Sequence, residues 1–107
     1  SAPLHRSVDV RRRVELAREI QERRYVGLSF RCNAELEPGD LRKFVDAEVG
    51  ALRLVKKAVE RFSLSARGHD RILKVARSIA DLAGHRRVLS RHVAEAVAFR
   101  RMSGGAV

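Results

Sequence analysis

The stretch LSARGHDRILKVARSIADLAG, residues 64–84, decides how this chain is read. Apolar residues recur through it at helical spacing: Ile72, Val75, Ala76, Ile79 and Ala83, with Leu73 and Ala80 beside them. That period predicts a helix with one buried stripe. Ser65 suits the N-cap, because its hydroxyl can accept one of the backbone N–H groups that a helix start leaves without partners. Gly84 supplies a left-handed stop. Arg67 then falls in the first turn, where the positive end of the helix dipole gathers and a cation is out of place. The placement becomes favourable once an anion is present, since a helix N-terminus and a guanidinium fork together make a phosphate site. Arg67 is therefore the leading candidate functional residue. Arg71, one turn further along the same face, and His69, beside the arginine, are candidate supporting residues.

Working outward, residues 7–25 read as a first helix with Ser7 as its cap and Asp9 in its first turn. Val10, Val14, Leu16, Ala17, Ile20 and Tyr25 share one half of the helical wheel, so one face is built for docking. Residues 27–37 break the helical pattern, and residues 31–36 read as extended. Pro38 starts a short helix that carries Leu41, Phe44 and Val45 inward, with Asp40 complementing the dipole. Asp46 is expected to cap the next helix, which runs to about Phe62 with Val49, Leu52, Val55, Val59 and Phe62 inward. On the motif helix, Asp70 is expected to pair at the surface with Lys74 or Arg77. Ser90 reads as the cap of a last helix that buries Val93, Ala96 and Val97, with Phe99 closing one flank. Residues 103–107 read as a flexible tail. No period-two run of β-branched residues occurs, so the chain is read as all-α: a small bundle of four to five helices, one domain over residues 1–107 with the folded part at about 7–102.

Composition narrows the function classes. The chain has 107 residues, 45% hydrophobic but only 5% aromatic, with no Trp, so the core must be aliphatic and alanine-rich. Net charge is +10, which directs attention to anionic partners such as nucleotide or nucleic acid. Cys32 is the one cysteine, which excludes an intrachain disulfide and fits a half-buried structural thiol in a cytoplasmic setting. His5, His69, His85 and His92 are scattered without ligand spacing, and no metal site is expected. No run approaches the roughly 18 apolar residues of a membrane span, and no membrane partner is expected. No glycine opens a phosphate loop of the form G-x-x-x-x-G-K-[ST], and no apolar run ends in Asp-Glu. The chain is thus not expected to be an enzyme by itself or to bind a cofactor alone.

The central stretch resembles the C-terminal helical lid domain of the magnesium chelatase-like, ComM-type AAA+ proteins. Leu64, Ser65, Ala66 and Arg67 match the opening Leu-Ser-Ala-Arg of that family's lid helix, and residues 71–84 match its continuation. Asn33, Ala34 and Leu36 match the family's Asn-Ala-x-Leu connector. Ser7, Val10, Arg11, Arg13 and Val14 match its start, and His92, Ala94, Glu95, Ala96 and Arg100 its ending. The sequence departs from the family pattern at Gly68, His69 and Asp70; a glycine in the first turn weakens the helix by about 1 kcal/mol relative to alanine.

The resemblance implies an AAA+ lid-type bundle in which Arg67 is the sensor-2 residue contacting the terminal phosphate of ATP. It also implies that ATP and Mg belong to a full-length parent, that the AAA+ core domain of the same chain is a partner, and that the parent forms a homo-oligomeric ring. A DNA motor in natural transformation is the expected parent; nothing in these residues supports metal insertion into porphyrin. A different reading of the basic charge is an independent DNA-binding module using the last two helices as a helix-turn-helix. Arg91, Arg100 and Arg101 could grip phosphate there, but the link from Gly84 to Leu89 is longer than the usual turn and the last helix lacks Asn or Gln.

Overall fold

The computed structural model describes the backbone of residues 2–102 and the side chains of residues 8–100; the expected tail, residues 103–107, lies outside the described residues. Among the described residues five α-helices follow one another: α1 (Ala2–Arg24), α2 (Pro38–Phe44), α3 (Val49–Phe62), α4 (Ala66–Leu82) and α5 (Ser90–Met102). A single turn of 3-10 helix, Asn33–Glu35, lies between α1 and α2. The all-α expectation holds. Residues 31–36, read as extended from sequence, instead wind through that turn, which buries Asn33 and Leu36.

The motif helix is the centre of the bundle, packing on α1, α2, α3 and α5. Ser65 Oγ accepts the N–H of Gly68 at 3.3 Å, as an N-cap should. Gly84, at φ +75°, ends the helix in the left-handed region, and the N–H of His85 donates to the carbonyl of Ala80 at 2.8 Å. Ile72, Leu73, Ala76 and Ala80 are buried, with Val75 and Ile79 partly buried against them. Ala83 lies just past the last turn and is exposed, contrary to the stripe expected.

Three other expectations fail where α3 meets the start of α5. On α3 the buried residues are Ala51, Val55 and Ala58, whereas Val49 and Leu52 face outward; Val59 and Phe62 are partly buried as expected. The face is rotated because α3 lies close to the start of α5: a Cβ on Gly50 would stand 2.7 Å from Ser90 Oγ. Only small side chains fit such an approach. The residue before α3 is Glu48, not Asp46, and its carboxylate accepts from Ser90 at 2.8 Å (N) and 3.2 Å (Oγ). Ser90 is thus a donor at the first position of α5 rather than its cap. The Ser90 N–H is the main cause that holds the Glu48 carboxyl below the usual carboxylate range.

Asp46 pairs with Arg87 at 3.4 Å, and its carbonyl accepts the N–H of Val88 at 2.8 Å. The N–H of Glu48 donates to the Val88 carbonyl at 3.0 Å, completing an isolated parallel bridge between Ala47 and Val88. That bridge ties the α2–α3 link to the link spanning residues 83–89.

At the other end, α1 begins at Ala2 and not at Ser7, with Pro3 in its first turn, where a missing N–H is harmless. Its 23 residues make an arm about 35 Å long. The base is buried through Ala17 and Tyr25, while Val8 (60% exposed), Val10, Val14 and Leu16 are open to solvent along the arm. Tyr25, Phe30 and Phe44 seal the base edge to face, with ring centres 5.1–5.7 Å apart. Beneath it α2 starts as expected from Pro38: the Asp40 carboxylate accepts the N–H of Glu37 at 3.1 Å, and Leu41 and Val45 are buried with Phe44 packed against the core.

Candidate functional site

An open groove of about 1230 Å³ runs along one side of α4. Arg67, Arg71 and Lys74, spaced by four and three residues, stand on one helix face and line it together. The connector residues 34–37 form the facing wall, and Lys74 Nζ reaches across to the Ala34 carbonyl at 3.4 Å. Val75, Ile79 and Leu82 supply an apolar floor; Phe99, 58% exposed, stands at its edge instead of closing the flank of α5. Arg67 is exposed in the first turn of α4, as its position after the Ser65 cap requires.

Of the three candidate residues, the groove therefore unites Arg67 and Arg71. His69 does not line it. Two positions from Arg67 on a helix is the other side of the wheel, and the His69 ring turns to Asp70, Nδ1 to Oδ1 at 2.9 Å. Asp70 accordingly pairs with neither Lys74 nor Arg77. The groove also carries no net positive charge: Arg67, Arg71 and Lys74 stand among the carboxylates of Glu35, Glu37, Asp70 and Glu95. Such a surface offers cations to a phosphate that something else holds, but it is not by itself a strong sink for a free anion. Glu35 is partly engaged, accepting the N–H of Arg31 at 2.8 Å and lying 3.7 Å from the half-buried Cys32 thiol. The Arg31 N–H is what chiefly draws the Glu35 carboxyl below its ordinary range.

A second cluster, at the opposite end of α4, was not anticipated. Arg77 (1% exposed) and Asp81 (3%) lie on the buried side of the helix, where the sequence suggested a surface arginine. Asp81 Oδ1 accepts from Arg24 at 2.7 Å and forms an ion pair with Arg77 at 3.0 Å; Oδ2 accepts from Arg24 at 3.0 Å and from Asn33 at 2.9 Å. Arg77 also donates to the carbonyls of His85 and Arg86, both at 2.8 Å. The hydrogen bonds to Asp81 favour the charged form of Arg24, while burial lowers the pKa of Arg77 against the pull of Asp81. The one local signal was the opposite-charge pair at i and i+4, Arg77 and Asp81, in register with Leu73, Ala76 and Ala80. Arg24 and Asn33 are too distant in sequence to be paired with them from spacing.

Two stretches that carry the family resemblance, Asn33-Ala34-x-Leu36 and Ala80-Asp81-Leu82-Ala83-Gly84, thus meet through the Asn33–Asp81 hydrogen bond. Residues 5–100 match the family described as magnesium chelatase, subunit ChlI C-terminal. The chain belongs to that family.

Within it the chain is of the ComM type. It is 35% identical over 96 residues to Competence protein ComM of Haemophilus influenzae, covering 90% of this chain and 18% of that protein. It is 42% identical over 92 residues to an uncharacterized protein of Mycobacterium tuberculosis, covering 86% of this chain and 18% of that one. It is also 35% identical over 98 residues to the Escherichia coli protein YifB, covering 92% and 19% respectively. The chain therefore spans about one fifth of the length of the curated relatives it matches. No solved structure matches it.

The magnesium chelatase C-terminal family motif at the start of α5 also finds a physical role in this domain. His92 is buried, and its Nδ1 accepts the N–H of Leu89 at 2.9 Å, so the ring serves as a capping acceptor for α5. Burial is the main cause that lowers the His92 pKa, reinforced by the His85 ring at 5.1 Å and by Arg91. Arg91 itself donates to His85 Nε2 at 2.8 Å. Among the described residues, no group of three His, Cys, Asp or Glu side chains is placed to hold a metal ion, and no helix is long and apolar enough to cross a membrane.

Proposed function

We propose that this domain is the lid of a cytoplasmic magnesium chelatase-like AAA+ ATPase and presents Arg67, as a sensor-2 residue, to the terminal phosphate of ATP held with Mg on the core domain. The observation that carries the reading is the exposed Arg67 guanidinium in the first turn of a Ser65-capped helix, at a groove that Arg71 also lines. A groove without net positive charge fits this role, since the phosphates would be held by another domain and Arg67 would add one charge-assisted contact as negative charge develops. The nucleotide belongs to the same subunit or to its neighbour in a homo-oligomeric ring. Similarity to a competence protein supports a parent that works as a DNA motor in natural transformation. His69, turned toward Asp70, is left out of the phosphate contact.

The test is Arg67→Ala in the full-length parent. ATP turnover is expected to fall about a hundredfold or more, with the loss in kcat. Normal turnover by that variant would refute the assignment.

A further inference from the structure

The groove has two walls, and only one of them belongs to α4. The other, residues 34–37, follows directly on Asn33, a buried residue whose every polar group is engaged. Its backbone N–H donates to Gln21 Oε1 at 2.9 Å, and its Oδ1 accepts from Tyr25 Oη at 2.6 Å and from Arg24 at 3.3 Å. Gln21, Arg24 and Tyr25 form the base of α1. The amide nitrogen of the same side chain donates to Ser78 Oγ at 3.1 Å and Asp81 Oδ2 at 2.9 Å, both on α4. Asn33 is thus bolted to two helices at once. An asparagine is suited to this, because it offers acceptor and donors from one short planar group.

We propose that Asn33 is a positioning residue of the Arg67 groove: it sets the wall at residues 34–37 against Arg67 and Arg71 according to where the base of α1 lies on α4. The inference deepens the reading of the groove as a nucleotide-phosphate site and rests on it for its kinetic consequence. Its geometric half stands on the hydrogen bonds alone. A wall that is displaced leaves Arg67 on α4 untouched but loosens what faces it, so its loss weakens ground-state and transition-state binding alike and appears in KM.

The experiment compares hydrogen exchange in this chain for wild type, Asn33→Ala and Gln21→Ala. In Asn33→Ala the amides of Glu35 and Leu36 are expected to accelerate at least tenfold more than those of Val93 and Ala96 in α5. Gln21→Ala, a change on α1 alone, is expected to act in the same direction, and it keeps the test decisive should Asn33→Ala fail to fold.

Equal acceleration in both sets or no acceleration in Gln21→Ala would each overturn the proposal. In the full-length parent, Asn33→Ala should raise KM for ATP by about tenfold while changing kcat less; an unchanged KM would overturn its kinetic half. Arg67→Ala with normal turnover would instead defeat the sensor-2 reading and leave the exchange result standing.

Discussion

The two ends of α4 carry the same residue types and do opposite things with them. At its start, Arg67 and Arg71 stand exposed beside carboxylates across an open groove, and their heads are available to a ligand. At its end, Arg77 and Arg24 share a single carboxylate, Asp81, beneath the surface. Surface guanidiniums in water contribute little to stability and can be spent on binding. Buried ones are costly to desolvate, and because a guanidinium keeps its charge, losing the carboxylate that offsets it is strongly destabilising. An arginine count therefore says little about this chain until burial has divided the arginines into these two groups.

The sharpest way to test that division is to remove the shared carboxylate. Asp81→Ala leaves Arg24 and Arg77 without their counter-charge, and unfolding in urea should show a loss of about 3–5 kcal/mol. A loss under about 1 kcal/mol would mean that the cluster is not the strong point the geometry implies.

A middle-sized effect is expected from pH. His92 has a folded-state pKa below its unfolded value, near 6.5, because burial disfavours the imidazolium. The unfolded chain therefore binds the proton more readily. The stabilising contribution of neutral His92 is complete above about pH 6.5 and is lost progressively as pH falls from there toward the lowered folded-state value. Melting temperatures measured between pH 7.5 and 5 should decline. In His92→Asn, which retains a short acceptor for the Leu89 N–H, the slope should flatten; an unchanged slope would remove His92 as its source.

The smallest effect belongs to the groove end. Arg67→Ala removes an exposed cation that opposes the helix dipole, so the melting transition of this chain should stay within about 0.5 kcal/mol of wild type. A variant that unfolds would erase the contrast between the two ends.

The same contrast explains what could be read from sequence. The Ser65 cap, the Gly84 stop and most of the α4 stripe are local features, each settled within a few residues, and they appear as expected. The exposure of Arg67 follows from the cap. What escaped was non-local or depended on distance of approach. Five side chains from residues 21 to 81 meet around Asn33, and no spacing rule links them. On α3 the larger Val49 and Leu52 suggested the buried face, yet closeness to α5 selected Ala51 and Ala58. At α1, Ser7 had the chemistry of a cap but the helix runs through it, because nothing in residues 2–6 forbids another turn. Tertiary packing, not intrinsic preference, decides such boundaries.

The parallel bridge between Ala47 and Val88 has a kinetic meaning beyond its place in the architecture. It joins two links that are far apart in sequence, with α3 and the whole of α4 between them. Local helix contacts close cheaply, while this closure must first overcome the chain entropy of a long loop. The bridge is therefore a late event on the folding route, and its chief effect should be to slow unfolding rather than to speed folding.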